Sequence, residues 1–348
     1  MEALSVVGGG IAGLALAACL DPRRFSVTVS ERRAELPTVE TSLAMWPEAQ
    51  RALDHVGILP AVRAAGSAFG GMALRDEAGN VLLRPRAPDV IGVSRAELLR
   101  LLEAAVPDSV TRVYEPVVSL PPSGVVVGAD GVHSMVRRTV WGGRARARLT
   151  PYLALRGIID AQIPPAAGGE YWGHGQLFGI TPASLGRTYW YASFRSGLGP
   201  GGIDVEEALA AARARFPVRT DAIGGVLTAA TPEGTLAQRI WTAPFLGRYA
   251  RDGTVLVGDA AHGMTPNLGR GACEALVDSV TLADLLNSRP PAEALAAYSS
   301  RRVLRTQALR VASSAMTRLA LAEGAQPLRD ALLRLAGSGS HAGPGRGA

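Results

Sequence analysis

Three glycine-rich segments hold the residues whose types and spacing could do chemistry. The first, Gly8-Gly9-Gly10-Ile11-Ala12-Gly13, fits G-x-G-x-x-G. In that pattern Gly8 permits a tight turn, Gly10 lets a diphosphate approach the backbone, and Gly13 allows close helix–strand contact. Ile11 and Ala12 then open a helix, whose free N–H groups and dipole favour an anion. Glu31 follows 18 residues after Gly13. Its carboxylate can accept hydrogen bonds from a ribose and disfavours a 2′-phosphate. This segment predicts dinucleotide binding without separating FAD from NAD. The second segment is Gly128-Ala129-Asp130-Gly131, followed by Ser134 and Arg137. The third runs from Gly258-Asp259-Ala260-Ala261-His262 through Pro266, Gly269, Arg270 and Gly271. It reads as a strand ending in an acid, then a glycine-rich loop, then a helix. Asp259 can bind ribityl or ribose hydroxyls, and the helix start at Gly271 can stabilise negative charge on a reduced ring system. Taken alone, each aspartate is equally a helix cap.

These segments need parallel strands and helices to position them, and the pattern supplies both. Ala3–Val7 is a short buried strand, Ile11–Leu20 a helix ended by Asp21-Pro22, and Phe25–Ser30 a second strand, together a βαβ unit. Phe69–Leu83 holds two strand-like runs around Glu77-Ala78-Gly79-Asn80. Arg95–Ala105 is an amphipathic helix, with Ser94 and Glu97 spaced as a capping box. Val125–Val127 and Thr254–Val257 are further buried strands. A long helix starts near Gly271, with apolar Ala272, Ala275, Leu276, Leu282, Ala283 and Leu286. Ala292–Leu335 is helical, with a break near Pro327, and the tail from Gly337 is low-complexity and expected to be disordered. Residues 151–240 differ: aromatic and alternating, they read as mainly β-sheet. Within Arg187–Arg195, alternation sends Tyr189, Tyr191 and Ser193 to one face and Thr188, Trp190, Ala192 and Phe194 to the other.

Composition narrows the function classes. At 348 residues about two domains are expected, and 47% hydrophobic residues suffice for a sizeable core. The net charge is +6, but all 36 basic residues are arginines, scattered without aromatic interleaving. A coding bias explains this better than a polyanion stripe, so no nucleic-acid partner is expected. Cys19 and Cys273 make no disulfide framework, and the five histidines lie far apart, so no metal site is expected. Leu16-Ala17-Ala18-Cys19 mimics a lipoprotein cleavage site, but Glu2 stands where a basic region belongs and glycines interrupt the apolar run. No membrane span is expected either. The reading is a soluble cytoplasmic protein, a monomer or homodimer.

In that order, the three motifs resemble the FAD-dependent aromatic-hydroxylase family, the class A flavoprotein monooxygenases. The match rests on the N-terminal fingerprint, Ser94-Arg95, the segment 128–131 and the run 258–271, and covers most of residues 1–310. The segments 45–58, 93–98 and 187–191 are most similar to urate-hydroxylase-type members, and the run Gly269–Cys273 also resembles the zeaxanthin-epoxidase branch. The implied fold is α/β: a three-layer, Rossmann-like FAD-binding domain (1–68, 91–150 and 241–290) with an inserted β-sheet substrate domain (69–90 and 151–240). C-terminal helices (291–336) and a disordered tail (337–348) complete it. The resemblance implies non-covalent FAD. Glu31 would sit at the adenosine ribose, Arg95 at the phosphates or ribityl chain, and Asp259 at the ribityl or diphosphate end. Pro266 to Ala272, including Gly269, Arg270 and Gly271, would line the isoalloxazine. Arg32, Ala44, Val117 and Asp130 complete the cofactor candidates, Asp130 with the lower weight. Three departures stand out: a trimmed 115–124, Arg270 where Gln is usual, and Glu48 where Asn is usual.

The chemistry implied needs no nucleophilic side chain. NAD(P)H, visiting transiently, reduces the flavin, O₂ forms a flavin C4a-hydroperoxide, and one oxygen passes to an electron-rich aromatic, heteroaromatic or polyene substrate. Candidate catalytic residues are therefore pocket residues: Tyr189, which the family match favours as substrate-facing, with Tyr191 and Gln176. Two alternatives stay open from the sequence: a dehydrogenase or reductase on the same scaffold, which oxygen dependence separates, and a flavoprotein without catalysis.

Overall fold

The computed structural model describes residues 1–68, 71–85, 89–121, 124–216 and 220–339. Apolar β-branched runs build a six-stranded sheet. Its order, edge to edge, is Ala250–Arg251, Thr254–Leu256, Val125–Gly128, Glu2–Val7, Phe25–Ser30 and Thr111–Val113. All neighbours are parallel except the first pair. Leu4, Val6, Val27, Val29 and Val125–Val127 are buried, as strands covered on both faces must be. The Ile11–Cys19 helix is buried from Ala12 to Ala17. Its small residues let the Gly271–Ser288 helix approach closely, and Ser279 Oγ donates to Ala12 O at 2.7 Å.

A second sheet of seven strands runs Thr235–Thr242, Arg148–Ile159, Thr188–Arg195, Gln176–Pro182, Gly169–Trp172, Leu74–Asp76 and Val81–Leu83. The expected hairpin around Glu77–Asn80 thus joins the sheet of residues 151–240, while residues 69 and 70 of that run lie outside the described residues. One face, with Leu153, Leu155, Phe178, Ile180, Trp190 and Phe194, is covered by the helices Val205–Arg215 and Asp221–Ala229. The other face meets the C-terminal helices through Tyr152, Ala154, Trp172, Leu177, Ala320 and Leu321. A small sheet of Ser42–Met45, Ile91–Ser94 and Ser67–Ala68 lies beside the Arg95–Ala105 helix.

Two local expectations need correction. Ser94 precedes the Arg95–Ala105 helix but caps it with no side-chain hydrogen bond. Glu97, instead of reaching back, is held by a bidentate pair with Arg100 at 2.7 and 2.8 Å. The C-terminal helices are Pro291–Ala320 and Gln326–Gly339, so the helix continues past Gly337, where the tail was expected to begin. Residues 340–348 lie outside the described residues. Among the described residues, no helix is long and apolar enough to cross a membrane.

Candidate active site

The three glycine-rich segments emerge at the ends of three adjacent parallel strands and pack on one another. Gly8 has φ 111°, and a Cβ there would lie 2.4 Å from Ala129 O. A Cβ on Gly13 would lie 1.9 Å from Gly8 O, which is the close helix–strand contact the fingerprint predicts. Gly258, with φ 57°, sits where a Cβ would meet Ala275 and Ala12 Cβ at 3.1 and 3.2 Å. Arg137 braces the second segment against the third. Fully buried, it donates to Ala145 O and Ala260 O at 2.7 Å and to Val132 O at 2.5 Å. Burial, opposed by Asp130 and Asp259, brings its pKa down to about 10.

Gly10 differs from its neighbours: a Cβ there meets nothing within 4 Å, and no side chain caps the helix it begins. Open space therefore fronts the helix N-terminus. Glu31 closes one side, accepting Gly9 N–H at 2.8 Å and Arg33 N–H at 3.1 Å. Arg32 is exposed next to it, and its charge helps burial and two other arginines hold His133 below the ordinary histidine range. On the other side Asp259 is exposed, and its carboxylate accepts no hydrogen bond among the described residues. Its charge acts on Arg95. Arg95 keeps access to solvent but is crowded by protein, and desolvation holds it below the usual arginine range.

The loop after Asp259 forms the adjoining wall. Pro266–Leu268 is a single 3₁₀ turn, and Gly269 is left-handed at φ 61°. A Cβ on Gly269 would lie 3.9 Å from Ala44 Cβ, and one on Gly271 would lie 3.7 Å from Asp259 Oδ1. Ala272 is half-buried in the first turn of the helix. Ala44, Asp259, Gly269, Gly271 and Ala272 are thus brought together. Cys273 Sγ donates to Ala44 O at 3.1 Å, and burial pushes its thiol up to about 11, a poor nucleophile.

Other candidates are engaged elsewhere. Asp130 Oδ2 accepts Met135 and Val136 N–H at 2.6 and 3.1 Å and so caps the helix Met135–Trp141, while its Oδ1 is buried without a partner among the described residues. Val117 is half-buried against the core of the parallel sheet. Arg270 turns back from the loop: it pairs with Glu48 at 3.4 Å and Glu274 at 3.3 Å and lies over the Trp46 ring. The two departures from the family pattern, Arg270 and Glu48, are one ion pair. Behind them lies a buried network the sequence did not reveal. Arg302 Nε donates to Asp278 Oδ1 at 2.6 Å and its Nη2 to Glu274 Oε2 at 2.5 Å. Asp278 Oδ2 accepts Gly258 N–H at 2.9 Å and pairs with His262 Nε2 at 2.7 Å.

The face of the seven-stranded sheet that meets the C-terminal helices carries the tyrosines. Tyr189 and Tyr191 share that face, as alternation predicts, with ring centroids 5.7 Å apart. The Tyr189 hydroxyl has no hydrogen-bond partner among the described residues, whereas Tyr191 Oη donates to Glu170 Oε1 at 2.8 Å. Arg156, opposite Tyr191 in the register, connects this face to the cleft: its charge acts on both Tyr189 and Arg95. Gln176 is not part of the group. It is opposite Phe194 in the register, on the helix-covered face, and bonds Glu77 at 3.2 Å. Glu170 and Arg156 were missed. A lone acid alternating with Tyr171 in an aromatic strand was the available signal for Glu170.

Comparisons with known proteins agree with this geometry. A model of the FAD binding domain matches residues 123–313, and a model of the NAD(P)-binding Rossmann-like domain matches residues 6–39. The chain is 30% identical to aurachin C monooxygenase/isomerase of Stigmatella aurantiaca over 329 residues, 86% of this chain and 85% of that protein. It is 28% identical to the FAD-dependent urate hydroxylase of Klebsiella pneumoniae over 334 residues, 87% and 86% of the two chains. The fold is shared with Klebsiella pneumoniae HpxO, whose crystal structure holds FAD and uric acid: TM-score 0.82, 23% identity, 96% of this chain and 93% of that one. With three converging motifs, the matched FAD-binding model and relatives of this similarity along nearly the whole length, the chain belongs to the FAD-dependent aromatic-hydroxylase family of flavoprotein monooxygenases.

Proposed function

We propose that this chain uses NAD(P)H and O₂ to insert one oxygen atom into an electron-rich aromatic or heteroaromatic small molecule held between the cofactor cleft and the tyrosine face. One observation carries the reading. The helix start at Gly10, with no side-chain cap, adjoins through Arg156 a tyrosine-bearing face; it is flanked by the desolvated Arg95 and by Asp259, and among the described residues neither the Asp259 carboxylate nor the Tyr189 hydroxyl has a partner. The residues fit FAD. A diphosphate needs open space and free N–H groups, and Gly10 supplies the space. A ribose needs an acceptor at the end of the second strand, which Glu31 supplies, with Arg32 beside it. A ribityl chain needs an acceptor at the third motif, and Asp259 is free to be one. Ala44, Pro266, Gly269, Gly271 and Ala272 are apolar, small or backbone-exposing enough to lie along a flat ring, while Arg270 is turned back to Glu48 and Glu274.

When bound, FAD supplies the redox chemistry: it takes hydride from NAD(P)H and delivers oxygen from O₂. The protein's share is positional. Arg95 offsets negative charge in the cleft, and the helix dipole at Gly271 favours a reduced, anionic ring nearby. Tyr189 orients the substrate through its hydroxyl. In this reading residues 1–68, 91–150 and 241–290 hold the cofactor, and the sheet of 69–90 and 151–240 holds the substrate. The experiment is a panel of aromatic metabolites scored by stimulated NAD(P)H oxidation, followed by labelled dioxygen and mass spectrometry. The expected product carries the label. Unlabelled product, or full turnover without oxygen, would overturn the assignment.

A further inference from the structure

Residues 294–322 contain five arginines and no aspartate or glutamate. Nearly all of them belong to the helix Pro291–Ala320. Its inner side is committed: Arg302 pairs with Glu274 and Asp278, and Ser313 and Thr317 bond the cofactor loop. On its outer side Leu304, Ala308, Val311, Ala315 and Leu319 recur every three or four residues and so form one row. Among the described residues nothing covers that row: Leu304 is 81% exposed, Val311 59% and Leu319 43%. The loop of residues 243–249 lies alongside. Arg310 Nη1 donates to Ala243 O at 3.4 Å, Tyr249 N–H donates to Ser299 Oγ at 2.9 Å, and Phe245 between them is 65% exposed.

The free charges beside the row are of one sign. Arg301 and Arg318 are exposed next to it, and Arg248 lines the groove that Leu304 also lines. None of the three makes a hydrogen bond or ion pair among the described residues. Arg148 is exposed near Arg310. Arg305, at the edge, is shared with Glu48 and Glu274 at 3.6 Å. Of the acids at the two ends, Asp252 and Glu323 are paired with Arg251 and Arg195, which leaves Glu2 on the groove and Glu293 in the first helical turn.

We infer that this face binds the surface of an anionic lipid bilayer. The helix lies along the interface, with Leu304, Val311, Leu319 and Phe245 at the acyl boundary and the arginines at the headgroup phosphates. Shape, charge and symmetry select this partner. Single side chains that protrude between alanines need a matching hole for each in a folded protein, whereas fluid acyl chains close around any shape. Arginine stems lie along apolar surface while the guanidinium reaches a phosphate. A second copy is disfavoured. An antiparallel pair with Leu304 opposite Ala315 would set Arg301 of one against Arg318 of the other, and a parallel pair would set each arginine against its own counterpart. No helix among the described residues is long and apolar enough to cross, so the contact is with the surface. The net charge of +6 adds a general attraction to anionic lipid.

The test mixes the full chain, as purified, with sucrose-loaded vesicles of phosphatidylcholine plus phosphatidylglycerol, or of phosphatidylcholine alone. The protein should pellet with the first, stay in solution with the second, and pellet less as salt is added. Protein that stays in solution with both, or pellets equally with both, overturns the proposal. The exposed positions can be changed at the parent's melting temperature and FAD content. Leu304→Gln/Val311→Gln should weaken vesicle binding at least about tenfold. Arg301→Gln/Arg318→Gln should weaken it about fivefold for each charge removed. Binding that survives either pair of changes overturns the proposal as well. Light scattering without vesicles covers the second-copy reading: a dimer that Leu304→Gln/Val311→Gln separates would mean that the row is covered by another copy. Tight binding to polyglutamate, weakened by the same two changes and without vesicle binding, would identify an acidic protein as the partner and also overturns the bilayer.

Discussion

At the scale of single residues, the fingerprint glycines separate into two physical kinds. Gly8 and Gly13 have protein where a side chain would go, at 2.4 and 1.9 Å. Gly10 has space. Gly13→Val should therefore fail to fold, while Gly10→Val should keep the melting temperature of the FAD-free parent and not bind FAD, because its branched side chain enters the room a diphosphate needs. Thermal unfolding and flavin absorbance check both halves, and a Gly10→Val protein with full FAD would remove this loop from the cofactor site. Asp259→Ala should keep the fold too and weaken FAD binding by about 10- to 100-fold, the range of charge-assisted hydrogen bonds. The flavin should come off on heat or acid, since Cys273 is a buried, protonated thiol engaged with Ala44. The close contacts at Gly8 and Gly13 were legible because spacing dictates them. The cap formed by Asp130 was not: a ligand and a cap have the same sequence, and it is the bonds from Met135 and Val136 N–H to its Oδ2 that show the cap.

At the scale of elements, strand periods were legible and registers were not. Alternation correctly grouped Tyr189 with Tyr191, but nothing local says which residue of the next strand lies opposite, so Gln176, named as a candidate with the tyrosines, lies opposite Phe194 on the other face. Long-range ion pairs are equally invisible. Arg270 and Glu48 read as two separate departures and are one contact, 222 positions apart. A double-mutant cycle with Arg270→Gln and Glu48→Asn should give a coupling of about 0.5–1 kcal/mol, the value for a partly exposed pair, and additive losses would show the two act independently. Arg302 is another matter. It is buried between Glu274 and Asp278, so Arg302→Met leaves two carboxylates in the core short of a cation. The expected loss is about 3–5 kcal/mol, read by denaturant unfolding. It should shrink in acid. Burial alone would raise the pKa of Asp278, but His262, Arg302 and the Gly258 N–H together hold it below the ordinary value. The stabilisation of that carboxylate is therefore complete above the unfolded-state pKa and disappears as pH falls through the folded one.

At the scale of the whole molecule, the two sheets are joined by contacts no single segment announces. Arg187 pairs with Glu40 across the cleft. Ser313 and Thr317 of the long C-terminal helix bond Thr265 and Asn267 of the cofactor loop at 2.6 Å, and Arg329 of the last helix donates to Trp172 O at 3.1 Å. The C-terminal helices thus hold the cofactor loop and the tyrosine-bearing sheet at a fixed distance, which positions Tyr189. Its ring leans on Tyr191, its hydroxyl is uncommitted among the described residues, and Arg156 links it to the cleft. Tyr189→Phe keeps the ring and so should keep the fold and the FAD. It removes only the group that would orient a substrate. A neutral hydrogen bond of this kind is worth about 0.5–1.5 kcal/mol, but misplacement at a reacting centre costs up to about 10²-fold in rate. The variant should therefore consume NAD(P)H at a similar rate, form less product from it, and release the balance as hydrogen peroxide. Product, NAD(P)H and peroxide measured in the same reaction decide the matter. If Tyr189→Phe couples reduction to product as well as the parent does, Tyr189 is a packing residue and the substrate is held elsewhere on the face.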